Sequence, residues 1–286
     1  MSLYFKNSIL FWNIKVFQRP SRLFSSEAEL TIVSEKDGVR KILLNNPKKR
    51  NALSLAMLES LKSCAFRDVN SPSLRCILLQ STGPVFSSGH DLKELLSSDT
   101  GKREEIFRKC SELMVGLRNL PVPTVAVVNG LAAAAGCQLV ASCDIAVATS
   151  TSEFSTPGAS VGLFCSTPGV AVSRNVPLKT ASYMLFTGKN INAHRAVQSG
   201  LISKVVDESE MEAAIEDILQ SILSKSRSVL ALGKKYFYEQ LSCNLEEAYR
   251  KGSKVMVDNL AHHDASEGIK AFFEKRPPKW VKVEES

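Results

Sequence analysis

The sequence predicts an α/β fold with parallel strand pairing through its first two-thirds, followed by an all-helical region. Apolar runs of strand length alternate with amphipathic helical patterns up to about residue 207, the arrangement that builds parallel sheets through crossover helices. From about Glu208 the strand patterns stop and four helical patterns follow one another. The chain has 286 residues, 44% of them apolar and 23% charged, enough for one large globular domain or two small ones.

The elements follow in order. Glu29–Ser34 and Val39–Leu44 flank Asp37-Gly38, a hairpin signal. Leu53–Val69 has helical spacing at Leu53, Met57, Leu61, Cys64 and Ala65, with Ser54 near its start. Leu74–Gln80 reads as a buried strand. Arg103–Asn119 is a second amphipathic helix, with Ile106, Phe107, Cys110, Leu113, Met114 and Leu117 on one face, ended by Pro121 and Pro123. A strand at Thr124–Val128, a helix at Ala133–Ser142 and a strand at Ile145–Ala148 come next. The C-terminal helices are expected at Ser209–Lys225, Val229–Gln240, Leu245–Asn259 and Asp264–Glu274.

The net charge of +7 is partly local. Residues 1–26 hold Lys6, Lys15, Arg19 and Arg22 and no acid, and the remainder carries 32 basic against 29 acidic side chains. Nothing in that balance argues for nucleic acid. Basic and free of acids, with Ile9, Leu10, Phe11, Trp12 and Ile14 interleaved, residues 1–25 read as a mitochondrial transit peptide, with Arg22-Leu23-Phe24-Ser25 as an arginine-directed processing site. The rest divides into 26–207 and a helical 208–286. No apolar run reaches the length a membrane span needs. Seven cysteines without a CxxC pair fit a reducing compartment rather than a disulfide framework, and the four histidines show no metal spacing.

Two segments carry the chemistry. Phe86-Ser87-Ser88-Gly89-His90-Asp91-Leu92 and Val127 through Leu139 each read as a strand that ends in small residues and hands over to a helix. Such turns leave backbone N–H groups unpaired and pointing outward. Two that converge polarise a carbonyl, as an oxyanion hole does. Ala132–Ala135 are strong helix formers without bulk, so a ligand carbonyl can approach the backbone. Carboxylates for acid–base work are missing from the second segment and the loop after it.

The order and spacing of several motifs resemble the crotonase, or enoyl-CoA hydratase, superfamily from about Leu30 to Trp280. They are Asn46-Pro47-Lys48-Lys49-Arg50-Asn51-Ala52-Leu53, Ser88 to Leu92, Pro123 to Gly130, Cys143-Asp144-Ile145-Ala146, Phe154-Ser155-Thr156-Pro157 and Glu267-Gly268-Ile269. The resemblance implies a ββα spiral core, a C-terminal helical trimerisation region, a homo-oligomer (trimer or hexamer) and an acyl-CoA thioester as ligand or substrate, with no other cofactor. It places the oxyanion donors at the backbone amides of His90 and Ala135. The two glutamates that hydratases use fall at Gln138 and Gly158, so the hydratase mechanism does not transfer. Arg50 and Lys93 match positions that meet CoA phosphates, and Ala52, Ser88, Asp91 and Leu92 belong to the same binding stretch. Lys275 and Arg276 are further candidates for phosphate contact, and Phe272, Phe273 and Trp280 for core or intersubunit packing.

The expected function is therefore a mitochondrial matrix acyl-CoA binder of fatty-acid metabolism without efficient hydration. Two alternatives stand beside it. One is an isomerase, thioester hydrolase or decarboxylase with another base, His90 being the side chain that titrates near neutrality. The other is a scaffold or RNA-associated protein. A glutamate restored at both 138 and 158 is expected to recover hydration unless Gly158 holds a backbone angle that glutamate cannot adopt.

Overall fold

The computed structural model describes residues 29–281; the transit-peptide reading of residues 1–25 lies outside them. Strands β1 (Thr31–Lys36) and β2 (Val39–Leu44) form the expected hairpin. Asp37 and Gly38 both take positive φ, 50° and 80°, as a two-residue primed turn demands. Helix α1 (Leu55–Phe66) starts where Ser54 caps it, its Oγ accepting from the Met57 N–H.

Three ββα turns then wind along the chain. The first comprises β3 (Cys76–Ser81), β4 (Val85–Ser87) and helices α2 (Leu92–Ser97) and α3 (Thr100–Asn119). The second comprises β5 (Thr124–Val128), β6 (Leu131–Ala133) and α4 (Ala135–Ser142). The third comprises β7 (Ile145–Thr149), β8 (Glu153–Ser155), and α5 (Ser166–Val172) with α6 (Leu178–Thr187). Strand β9 (Ile191–Asn192), α7 (Ala193–Gln198) and β10 (Lys204–Val206) close the core. The long strands form a six-stranded sheet in the order β1-β2-β3-β5-β7-β10, parallel except for the hairpin. The short strands form a second sheet, β4-β6-β8-β9.

Strands β3 and β5 are buried on both faces, which explains their continuous apolar runs. Ile77, Leu79, Ala126 and Val128 enter the main core with α1, α3 and α4, while Cys76, Leu78, Val125 and Val127 alternate to the other face. That face is covered by α8 (Met211–Leu223) through Leu219 and Ile222. Helices α9 (Arg227–Gln240), α10 (Leu245–Leu260) and α11 (His263–Phe273) complete the helical region. A buried ion pair ties α9 to the core: Lys234 Nζ lies 2.7 Å from Asp144 Oδ2 and also donates to the carbonyls of Leu117 and Val122. Every one of its three donors is satisfied, which is what a buried ammonium requires.

One sequence expectation is corrected and one is narrowed. Ala133 ends a strand rather than starting a helix, because Ala132 and Ala133 pair with Phe154 and Ser155 in the second sheet. Of core and intersubunit packing for Phe272 and Phe273, their 79% and 77% exposure removes the first. Among the described residues, no helix is long and apolar enough to cross a membrane.

Candidate functional site

The first turn is held by side chains. Asn51 is fully buried at a φ of 51°, a left-handed position that asparagine tolerates better than most residues. Its Nδ2 donates to the carbonyls of Thr82 and Val85 at 2.8 Å each, and its Oδ1 accepts the Asn46 N–H at 2.8 Å. Ser87 Oγ donates to the Asn51 carbonyl and accepts the Gly89 N–H. The Ser88 N–H donates to the Arg50 carbonyl, and the Leu53 N–H to the Gly89 carbonyl. With its neighbours so engaged, the His90 N–H has no acceptor among the described residues.

The second turn is held by its backbone. Ala134 takes φ 50° and ψ −118°, a conformation that suits glycine, and no side chain caps the helix that follows. Its N–H donates to the Ser155 carbonyl, and its own carbonyl accepts the Gln138 N–H. The Ala135 N–H, first in α4, has no acceptor among the described residues.

The turns press on each other. A Cβ on Gly89 would sit 2.8 Å from Ala134 Cβ and 3.2 Å from Ala135 N, and one on Gly136 would sit 2.4 Å from the Ser87 carbonyl oxygen. Glycine at both positions lets the two free amides come together. They border a cavity of about 470 Å³ whose apolar walls include Leu92, Phe107, Leu163 and Phe164. Among the described residues, no carboxylate lines it. That volume is in the range of small-ligand sites. A larger hollow of about 570 Å³ lies between the first sheet and α8, and neither turn contributes to its walls.

The His90 ring is held among its neighbours. Its Nδ1 lies 3.2 Å from the Leu53 carbonyl, its Nε2 is buried without a partner, and its edge meets the Phe107 ring at 5.1 Å. Burial holds its pKa below the ordinary value, against the Leu53 contact and Glu94. Asp91 caps α2, accepting from the N–H groups of Lys93 and Glu94, and pairs with Lys49 at 3.4 Å. Its partial burial raises its pKa, but the Glu94 amide, Lys49 and the Lys93 amide outweigh that and lower it overall. Arg50 and Lys93 are exposed, and their side chains meet no hydrogen-bond or ion-pair partner among the described residues. Ala52 is buried below them, its N–H on the Lys49 carbonyl. Leu92 opens α2 and is half exposed at the cavity wall.

The two glutamate-equivalent positions behave differently. Gln138 is buried but faces α3, where its Oε1 accepts from the Cys110 thiol. Gly158 does line the cavity, and a Cβ there would meet the Leu163 carbonyl oxygen at 1.9 Å and Cys165 Sγ at 2.7 Å. The obstacle to a glutamate is therefore the chain's own 158–165 loop rather than a backbone angle. Cys165 Sγ accepts the Gly158 N–H at 3.2 Å, and burial pushes that thiol's pKa up, which disfavours a nucleophilic thiolate. Arg276 is held by Glu267 and Glu274, and Trp280 Nε1 donates to the Ser224 carbonyl.

Asn51, Ser87 and Phe107 acquire roles that sequence reasoning did not assign. The signal for Asn51 was present, a short polar residue just after the basic run Lys48-Lys49-Arg50, but the two carbonyls it donates to lie more than thirty positions away.

This fold and paired-turn site define a class, and the comparisons agree. The enoyl-CoA hydratase/isomerase family model matches residues 34–283, and the chain belongs to that family. Within it, the chain is 57% identical over 258 residues to mouse (Mus musculus) enoyl-CoA hydratase domain-containing protein 3, mitochondrial, covering 89% of this chain and 85% of that one. The crystal structure of the human protein of that name superposes with a TM-score of 0.86 at 55% identity, covering 88% of this chain and 100% of the other. An enoyl-CoA hydratase from Mycobacterium smegmatis also gives 0.86, at 42% identity, with 88% and 98% covered.

Proposed function

We propose that this chain binds acyl-CoA thioesters in fatty-acid metabolism and hydrates enoyl-CoA poorly. The observation that carries this is the pair of free amides, His90 and Ala135, at an apolar cavity that no carboxylate lines. Such amides bind a thioester carbonyl oxygen and strengthen as it gains negative charge. Exposed Arg50 and Lys93 suit the CoA phosphates. Hydration also needs a group to activate water and one to move a proton, and Gln138 and Gly158 do neither. A reading in which His90 is the base gains no support from a ring whose nitrogens face Leu53 and buried space.

The test is crotonyl-CoA hydration by the wild-type protein beside direct binding of acyl-CoA. Binding without turnover is expected; two missing acid–base groups correspond to a loss on the order of 10⁴-fold, though such effects do not simply multiply. Robust turnover near roughly 10 s⁻¹ would sink the reading. Ala135→Pro removes one amide at a helix position that proline tolerates, and it should weaken thioester binding while free-acid binding stays low. A folded Ala135→Pro protein with undiminished affinity would remove the assigned hole.

We also propose matrix import and self-association. The relatives named above as mitochondrial and the acid-free basic residues 1–25 support the first. A reporter carrying residues 1–40 should enter mitochondria and be cut near Ser25; a cytosolic reporter contradicts this. Exposed Met256, Val257, Phe272 and Phe273 on α10 and α11 support a homo-oligomer, a trimer or hexamer, which light scattering would read directly.

A further inference from the structure

Beside the acyl cavity lies a second one, of about 300 Å³, between α3, α4 and α5. Thr167 lines both cavities. Gln138 reaches into the second from α4, three residues beyond Ala135, a rise of about 4.5 Å along the helix. A short acyl chain anchored by its carbonyl at the Ala135 amide has that reach.

The polar groups of this second cavity are biased toward donors. Gln138 is 4% exposed, and its Oε1 is taken by Cys110. Burial pushes the Cys110 thiol's pKa up to about 12, so at neutral pH it keeps its proton and can donate to that oxygen. Gln138 lines this cavity, and its Nε2 has no hydrogen-bond partner among the described residues. Among the described residues, Arg118 and Arg174 bring the only charges to the walls, and no acid lines them. Neither guanidinium forms an ion pair among the described residues. Arg118 stacks over the Tyr238 ring at 5.1 Å, and Arg174 donates one bond to the Val170 carbonyl, which leaves donors on both. Val115 and Val170 supply an apolar rim that suits methylenes. An amide donor and two guanidiniums without ion pairs, lining one cavity, suit a carboxylate.

We infer that the Gln138 cavity receives the far end of the acyl group and that the preferred ligands are thioesters whose short acyl chain ends in a carboxylate. This rests on the acyl-CoA reading above and narrows it. It also accounts for glutamine where hydratases carry glutamate: an acid at 138 would repel such a ligand.

The experiment titrates the full chain with butyryl-CoA and glutaryl-CoA by calorimetry. Wild type should bind glutaryl-CoA on the order of tenfold more tightly, the scale of a hydrogen bond to a charged group. Arg174→Gln and Arg118→Gln should each erode that preference and leave butyryl-CoA binding as it was. Arg174 is exposed, so its variant should keep the fold even if loss of the Arg118 stack on Tyr238 does not. If butyryl-CoA binds and glutaryl-CoA binds no better, this inference falls alone. A preference that survives Arg174→Gln and a folded Arg118→Gln also overturns it. If neither thioester binds, the acyl-CoA reading falls and takes this one with it.

Discussion

The first turn, Ser87–His90, is braced by side chains, its own Ser87 and the distant Asn51, whereas the second, Ala133–Ala135, rests on its backbone. In the first, Asn51 and Ser87 satisfy buried carbonyl and N–H groups, and glycine occupies the one position with strongly positive φ, 90° at Gly89. In the second, an alanine holds a glycine conformation between two main-chain hydrogen bonds. Both present a free amide at the same cavity. The difference teaches that an amide can be aimed either by satisfying everything around it or by forcing the residue before it, and that the two designs should fail differently.

The braced turn should be the more fragile to side-chain loss. Asn51→Ala strips partners from two carbonyls and one N–H inside the fold. At about 1–3 kcal/mol for each stranded group, partly recovered by relaxation, a loss of about 3–5 kcal/mol is expected in denaturant unfolding. Asn51→Asp sharpens the point, since it keeps the shape but aims an oxygen at two carbonyl oxygens, and it should be no less destabilising. If either variant loses under about 1 kcal/mol, the bracing account of the first turn is wrong.

A middle-sized effect is expected where the turns touch. Gly89→Ala would force a methyl to within 2.8 Å of Ala134 Cβ at a φ of 90°. Strain and overlap together should cost about 2–3 kcal/mol. Because the displaced group is next to the Ala135 amide, thioester affinity should fall by more than stability alone explains. Equal affinity in a folded variant would mean the turns need not touch for binding.

These contacts also mark how far the sequence could be read. The hairpin, the long helices and the strands of the first sheet other than the three-residue β10 were legible because of periods and boundary signals: Asp37-Gly38, Ser54, and the double-sided apolar runs of β3 and β5. The second sheet was not, since β4, β6 and β8 are three residues long and β9 two, too short for any period. That is why Ala133 looked helical: alanine's propensity points that way, while pairing with Ser155 decides otherwise. At the site, the resemblance pointed to the His90 and Ala135 amides, and neither has an acceptor among the described residues. The direction of Gln138 and the loop packed on Gly158 are tertiary facts, with no local signal to show them. Phe272 and Phe273 left two alternatives open for a different reason, since an apolar pair on a helix reads the same whether it packs in its own core or stands exposed.

The smallest effect has the most telling sign. If Ala134 is strained, Ala134→Gly should stabilise the protein, although glycine inside an ordered segment ordinarily destabilises it. Holding a non-glycine residue in a sparsely populated region costs about 1–3 kcal/mol, and glycine's extra freedom in the unfolded chain returns about 0.5–1 kcal/mol of that. The net expectation is a gain of about 1 kcal/mol. The Ser155 and Gln138 hydrogen bonds involve only the main chain at 134 and survive the change, so the Ala135 amide should stay where it is. Thioester affinity should then be unchanged while stability rises, the reverse of the pattern expected for Gly89→Ala. A destabilised Ala134→Gly protein would show that the alanine methyl packs against the first turn strongly enough to outweigh its backbone strain, and the contrast between a braced turn and a forced one would have to be given up.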